Sequence, residues 1–334
     1  MVNLLPQGIY TPLPTFFLPE SEDLDLDTLR KHVVFVTKSG TTPVLAGSAG
    51  EACHLSAAEC ILLIKTARTA LDEAGLTETV LVAGIGSSST RETIQFAKDA
   101  ADAGADFAMV IPPGYYAGQL AQKNMNAVKQ FFIDVATESP LPVILYNFPD
   151  VSGGLDIDSD LVVDVVREHP NVVGVKLTCA NVGKITLITA LVDKPEFAEK
   201  YPRHNIAQHF QVIDGFIDIL LPSISSGAAG AISGLPNVAS KLCVKLWELA
   251  SSGPAPNSPE YREAQRLQNM VALADGIAVR IGIAGLKMLT TRCRGYGSKS
   301  PRRPLLPIDE AEGDAVMGNE HIKNLLEEEE KLSA

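Results

Sequence analysis

Residues 142–177, PVILYNFPDVSGGLDIDSDLVVDVVREHPNVVGVKL, hold one repeat unit: a strand, a loop, a helix and a second strand. The segments 142–149 and 172–178 are short and apolar along almost their whole length, as strands buried on both faces are. Between them, 158–169 carries its apolar residues at helical spacing and opens on Asp158, an acceptor for the free N–H groups of a first turn. This order reads as two parallel strands joined by a helical crossover.

The same pattern recurs on both sides. Strand-like runs fall at 8–13, 42–47, 79–86, 106–113, 210–215 and 227–234, and helix-like segments at 24–39, 56–73, 89–104 and 121–139. About eight βα repeats result, the number that closes a (β/α)8 TIM barrel. The expected fold is therefore α/β, a barrel over residues 1–251 with a C-terminal helical appendage over 252–334. Within the appendage, 261–291 reads as helix, 299–307 as a basic, Pro-rich turn and the remainder as one charged last helix. Its Glu327–Glu330 run reads as a solvated face. A doubly wound open sheet is the runner-up. It needs a glycine-rich phosphate loop after its first strand, and Gly8-Ile9-Tyr10-Thr11-Pro12 is not one.

Bulk properties narrow the function. A 334-residue chain with 46% hydrophobic and 20% charged residues has a sizeable core. Its net charge of −12 argues against nucleic acid or an anionic membrane as partner, though not against a small anionic substrate in a local pocket. No apolar stretch reads as a transmembrane helix. Five cysteines without a C-x-x-C pair fit a reducing compartment. The acidic N-terminal stretch, with no arginine before Arg30, does not resemble a presequence, so the cytoplasm is expected. Six histidines without H-x-x-x-H spacing point to no catalytic metal.

Lys176 interrupts the otherwise apolar run 172–177. Lysine is almost never fully buried without a partner or a purpose. An amine taken out of water loses its proton more readily and can then attack a carbonyl. The plain alternative is a lysine at a strand end that reaches solvent or a carboxylate. Active sites of such barrels form at the C-terminal strand ends, where this sequence also places Gly47-Ser48-Ala49-Gly50-Glu51, Tyr115-Tyr116 and Tyr146. Glycines around Ser48 allow a nest of backbone N–H groups for a carboxylate, and a tyrosine beside a lysine can move protons. Singly, each motif is as well read as structure: Glu51 as an acid at a helix N-terminus, Tyr146 as core. Gly295-Tyr296-Gly297-Ser298-Lys299-Ser300 imitates a nucleotide loop without its upstream glycine or strand.

Together, GSAGE, PPGYY, YNFP, GVK, the glycine-rich eighth strand and PRRPLLP resemble, in this order, the dihydrodipicolinate synthase / N-acetylneuraminate lyase family. The likeness runs from Gly8 to about Pro307. It implies a class I aldolase on a TIM barrel, assembled as a dimer of dimers, using no cofactor beyond a covalent imine on lysine. Lys176 would condense with pyruvate or another 2-keto acid, and Tyr146 would transfer the proton. Ser48 would join the tyrosine relay and help hold the carboxylate, and Tyr116 would enter a neighbouring subunit's site. Gly47, Ala49, Tyr115, Gly215, Gly230 and Ile232 would contact substrate.

Three departures bear on the substrate. Ala49 replaces the second hydroxyl of the family's G-[ST]-T-G-E motif. Asp150 and Val151 stand where the lysine-biosynthesis enzymes carry a Ser-Arg pair, and valine cannot bind a carboxylate bidentately. Leu177 follows the lysine where many members are polar. YNFPDVSGGLDID and EHPNVVGVKLT look closer to the 4-hydroxy-2-oxoglutarate and 2-keto-3-deoxy-sugar-acid aldolases. Cleavage of such an acid to pyruvate and an aldehyde is the expected activity. Condensation of pyruvate with aspartate semialdehyde and a non-catalytic keto-acid-binding barrel are the alternatives.

Overall fold

The structure, a computed structural model, describes residues 3–333. Eight parallel strands follow in chain order: β1 (Gly8–Pro12), β2 (Thr42–Leu45), β3 (Val82–Gly84), β4 (Phe107–Val110), β5 (Val143–Asn147), β6 (Val172–Leu177), β7 (Gln211–Asp214) and β8 (Gly230–Ile232). They close into a barrel, the (β/α)8 fold. Helices α1 (Leu26–Lys38), α2 (Ala57–Glu73), α3 (Thr90–Asp102), α4 (Ala117–Leu120), α5 (Gln122–Glu138), α6 (Ser159–Glu168), α7 (Val182–Val192), α8 (Pro195–Lys200) and α9 (Leu220–Ser225) lie between strands. After β8 come α10 (Ser240–Ser251), α11 (Pro259–Arg294), α12 (Glu310–Gly318) and α13 (Glu320–Lys331).

The chain groups into two compact units. The first comprises Val80–Phe216, Pro222–Ala231 and the segment ending at Gln7; the second comprises Gly8–Thr79, Ile217–Leu221 and the chain from Ile232 onward. Ser251, the last residue of α10, lies inside the second.

In the first unit the repeat 142–177 forms as its sequence requires. Asp158 accepts from Leu161 N at 2.8 Å and starts α6. That helix buries Leu161, Val162, Val163, Val165 and Val166, each worth about 1.5–3 kcal/mol when fully removed from water. Arg203, only 6% exposed, donates to the carbonyl oxygens of Val166, His169, Val172 and Tyr201, closing the α6–β6 turn. Gly174 lets β6 approach β7, because a Cβ there would stand 3.0 Å from the Gln211 carbonyl oxygen. One expected helix is divided: Lys123, Asn124 and Met125 take left-handed backbone (φ 50, 55 and 56) at the start of α5, just after α4.

The second unit holds β1, β2, their helices α1 and α2, and the C-terminal helices. Ser56 and Glu59 form a reciprocal capping box at the start of α2. His32 of α1 is fully buried between the Asn237 side-chain oxygen and the Tyr296 hydroxyl, each at 2.9 Å, and burial pushes its pKa down to about 4. The glycine-rich stretch around Tyr296 is thereby structural. Gly295 ends α11 in left-handed backbone (φ 71), and a Cβ on Gly297 would lie 2.8 Å from Phe16.

Three expectations need correction here. The charged tail forms two helices, because Asn319 leaves helical geometry and caps α13 by accepting from His321 N at 2.9 Å. The Glu327–Glu330 run is not wholly a solvated face. Glu329 is buried and accepts from Lys241 N at 3.1 Å and Leu242 N at 2.7 Å, satisfying free donors at the start of α10. Finally, α11 has the length and apolar composition of a membrane-crossing helix. It breaks at Gly282 (φ 61) and buries Ala264, Leu267, Val271, Met288 and Leu289 as it packs on α10, α12 and α13.

Candidate active site

Lys176 and Tyr146 are partners across β5 and β6, and the register continues through Ile213 of β7 to Gly230 of β8. Residues paired in parallel strands project from the same face of the sheet. One row thus presents a phenol, an amine, the β-branched side chain of Ile213 and, at Gly230, no side chain. Lys176 is 5% exposed, and its Nζ lies 4.1 Å from the centroid of the Tyr146 ring. Among the described residues no carboxylate pairs with this amine.

The supports of this row are polar and local. Asn147, beside Tyr146, is fully buried and donates to Asp156 Oδ1 at 2.8 Å while accepting from Ile157 N at 2.9 Å. Lys184 donates to the same Asp156 oxygen and to the Ile157 carbonyl oxygen at 2.7 Å. Partial burial pushes the Asp156 carboxyl up, but donation from Lys184 and Asn147 outweighs it and holds the carboxyl below its ordinary range. At the end of β7, Asp214 accepts from Phe216 N at 3.0 Å and from the Ser223 hydroxyl, shaping the turn at Gly215. A Cβ on Gly215 would lie 2.1 Å from Thr178 Oγ1, so this glycine makes room for that hydroxyl.

Thr178 escaped the reading of the sequence. It is 7% exposed, follows Lys176 by two residues, and its hydroxyl has no hydrogen-bond partner among the described residues. A buried unpaired hydroxyl is unfavourable unless something else satisfies it. Its one legible signal was the K-x-T spacing at a strand end.

Tyr115 and Tyr116 follow β4 and stand apart from the buried row. They are 86% and 62% exposed and meet each other edge to face, with ring centroids 4.9 Å apart. The extra Gly114 has a packing reason, since a Cβ there would come within 2.7 Å of the Ser152 backbone.

In the second unit, residues 46–51 form a tight loop after β2. Gly50 N and Ala52 N donate to the Gly47 carbonyl oxygen at 3.0 and 3.3 Å, and Glu51 N donates to that of Ser48 at 3.1 Å. Thr15 Oγ1 donates to the Gly50 carbonyl oxygen at 2.6 Å. Ser48 and Ala49 are half-buried, Gly47 is buried, and Ile232 at the end of β8 is fully buried. Glu51 does not serve as an acid at a helix N-terminus. Its side chain makes no cap and is instead a buried ion-pair partner.

The sequence model of the dihydrodipicolinate synthetase family matches residues 5–321. L-threo-3-deoxy-hexylosonate aldolase of Aspergillus niger is 38% identical over 335 residues, covering 97% of this chain and 96% of the relative. A protein of Emericella nidulans named "Probable 4-hydroxy-2-oxoglutarate aldolase, mitochondrial" is 38% identical over 310 residues, 92% of each chain. Among solved structures, YagE of E. coli K12, a family member in complex with pyruvate, superposes with a TM-score of 0.80 at 25% identity. That match covers 97% of this chain and 98% of the other.

Proposed function

The chain belongs to the dihydrodipicolinate synthetase family, whose match spans residues 5–321, and on that premise we propose that it is a class I aldolase, a carbon–carbon lyase that cleaves a 4-hydroxy-2-keto acid. The observation that carries this reading is the buried amine of Lys176, with no carboxylate paired to it among the described residues, set in register against Tyr146.

In the proposed reaction the Lys176 amine adds to the C2 carbonyl and water departs, leaving a cationic imine. Tyr146, passing its own proton on through Ser48 and Tyr116, takes the proton of the C4 hydroxyl. The C3–C4 bond breaks, its electrons flow into the imine, and the aldehyde leaves. Protonation of the resulting enamine at C3 and hydrolysis release pyruvate and restore the amine. The imine is the electron sink, so the chemistry requires no metal and no other cofactor, and chelation should leave the rate unchanged.

Ser48 is assigned to the proton relay and the carboxylate on the likeness of GSAGE to the family motif, with the N–H groups of Gly47 and Ala49 standing in for the hydroxyl that Ala49 lacks. The exposure of Tyr116, with Tyr115 beside it, supports its donation to a neighbouring subunit's site in a homotetramer. Thr178 is assigned to a substrate hydroxyl, which would supply its missing partner. Gly215, Gly230 and Ile232 shape the space around the imine.

The names of the fungal relatives support a 2-keto-3-deoxy hexonate and 4-hydroxy-2-oxoglutarate as the first substrates to try. Val151, exposed in the turn after β5, offers no charge for aspartate semialdehyde, which should not condense. Five free cysteines support a reducing compartment, and we propose the cytoplasm; one relative is named mitochondrial, so fractionation decides between two reducing compartments. The test of the chemistry is borohydride reduction in pyruvate followed by peptide mass spectrometry. A reduced pyruvyl adduct on Lys176 is expected, and its absence would sink the imine mechanism.

A further inference from the structure

Glu51 ends the loop that carries Ser48, and its side chain is fully buried. Three donors converge on its carboxylate: Lys287 Nζ of α11 at 2.7 Å, the Arg302 backbone N–H at 2.9 Å and His54 Nδ1 at 3.1 Å. Lys287 is also fully buried, with Nζ 4.3 Å from the centroid of the Phe17 ring. The Arg302 guanidinium carbon lies 4.4 Å from the same ring. Its nitrogens donate to the carbonyl oxygens of His54 and Glu22 and to the Glu59 carboxylate. Burial pushes the Lys287 ammonium below its ordinary pKa, and the Glu51 carboxylate opposes that shift.

An ion pair at this depth contributes little net stability compared with well-packed apolar residues. It does fix geometry. Both ends of the loop, Ala46 at φ 50 and Glu51 at φ 55, hold left-handed backbone that residues with a Cβ avoid. Such a shape persists only where its surroundings over-determine it.

We infer that Lys287 and Arg302 are positioning residues: they clamp Glu51 and through it set Ser48 and the loop N–H groups where the keto acid's carboxylate binds. This rests on the aldolase reading above. The C-terminal helices then belong to the substrate-binding machinery, although neither cation touches the reacting atoms.

The test follows borohydride trapping at Lys176 against pyruvate concentration in the full chain. It compares wild type with Lys287→Met, the double variant Glu51→Gln/Lys287→Met, and Arg302→Ala. For Lys287→Met the half-saturating pyruvate concentration should rise about tenfold while trapping at saturation stays within about twofold, a loss of binding rather than chemistry. The double variant, free of an unpaired buried charge, should regain the wild-type melting temperature yet keep the weakened pyruvate response. Arg302→Ala keeps the backbone N–H that meets Glu51 but removes the guanidinium contacts to His54, Glu22 and Glu59 that hold it in place, and should shift half-saturation in the same direction by a smaller factor.

Recovery of stability and pyruvate response together would make the pair merely structural and overturn the inference. So would an unshifted half-saturation in any folded variant, and Arg302→Ala keeps this readable should Lys287→Met fail to fold. Absence of trapping in the wild type would instead overturn the aldolase reading itself.

Discussion

Lys176 on β6 and Lys287 on α11 are buried to nearly the same depth, at 5% and 0% exposure, and each sits about 4 Å from an aromatic ring, 4.1 Å from Tyr146 in one case and 4.3 Å from Phe17 in the other. They differ in one partner. Lys287 has the Glu51 carboxylate at 2.7 Å, whereas no carboxylate pairs with Lys176 among the described residues. Burial alone therefore does not make a lysine reactive. Lys287, held against a carboxylate, is fixed as an anchor; Lys176, with no carboxylate on it among the described residues, is the amine proposed above to meet the keto acid.

The sharpest way to break this comparison is to remove each amine. Lys176→Met should lower lyase turnover by at least about 10⁴-fold, as loss of a covalent nucleophile does, with the urea midpoint unchanged or raised. Residual turnover near wild type would remove Lys176 from the reaction. Tyr146→Phe keeps the ring over the amine but removes the phenol, and should cost about 10²–10⁴-fold in turnover while borohydride still traps pyruvate. Equal loss of trapping would give the hydroxyl a part in imine formation instead.

Lys287→Met should act on stability first. Leaving Glu51 buried without its cation is expected to cost about 3–5 kcal/mol, read from urea unfolding. A loss below about 1 kcal/mol would show that the Arg302 N–H and His54 suffice to hold the carboxylate.

The smallest effect concerns Asp275, also on α11. Burial pushes its carboxyl up to about 7, with the Asp218 carboxylate nearby adding to the shift. The unfolded chain's aspartate ionises near pH 3.9. Stability from this group is therefore fully present below about pH 4 and lost as pH rises through about 7. Asp275→Asn should stabilise the protein more at pH 8 than at pH 5, by urea unfolding at both. A gain independent of pH would mean that Asp275 is not protonated in the fold.

Much of this was legible in the sequence. The strands around Tyr146 and Lys176 could be read because parallel strands buried on both faces are apolar throughout, so a single lysine stands out. Asp158, Ser56 and Ser89 could be read as helix starts because capping acts over three residues. The buried, unpaired hydroxyl of Thr178 was not legible, since it arises only once Gly215 has been packed against it. Glu329 looked like the rest of an acidic run. Nothing in EEEE marks the one carboxylate that reaches two N–H groups some ninety positions earlier, at separations of 88 and 87 residues.

By itself, then, the sequence determined the βα repeat, the lysine within its sixth strand, and the tyrosine one strand away. These follow from local propensity and from the rule that apolar residues seek the interior. Only the tertiary structure decided which buried lysine is compensated. Lys287 and Glu51 lie 236 residues apart, and a charge pair at that separation is set by packing and desolvation, which no local pattern encodes.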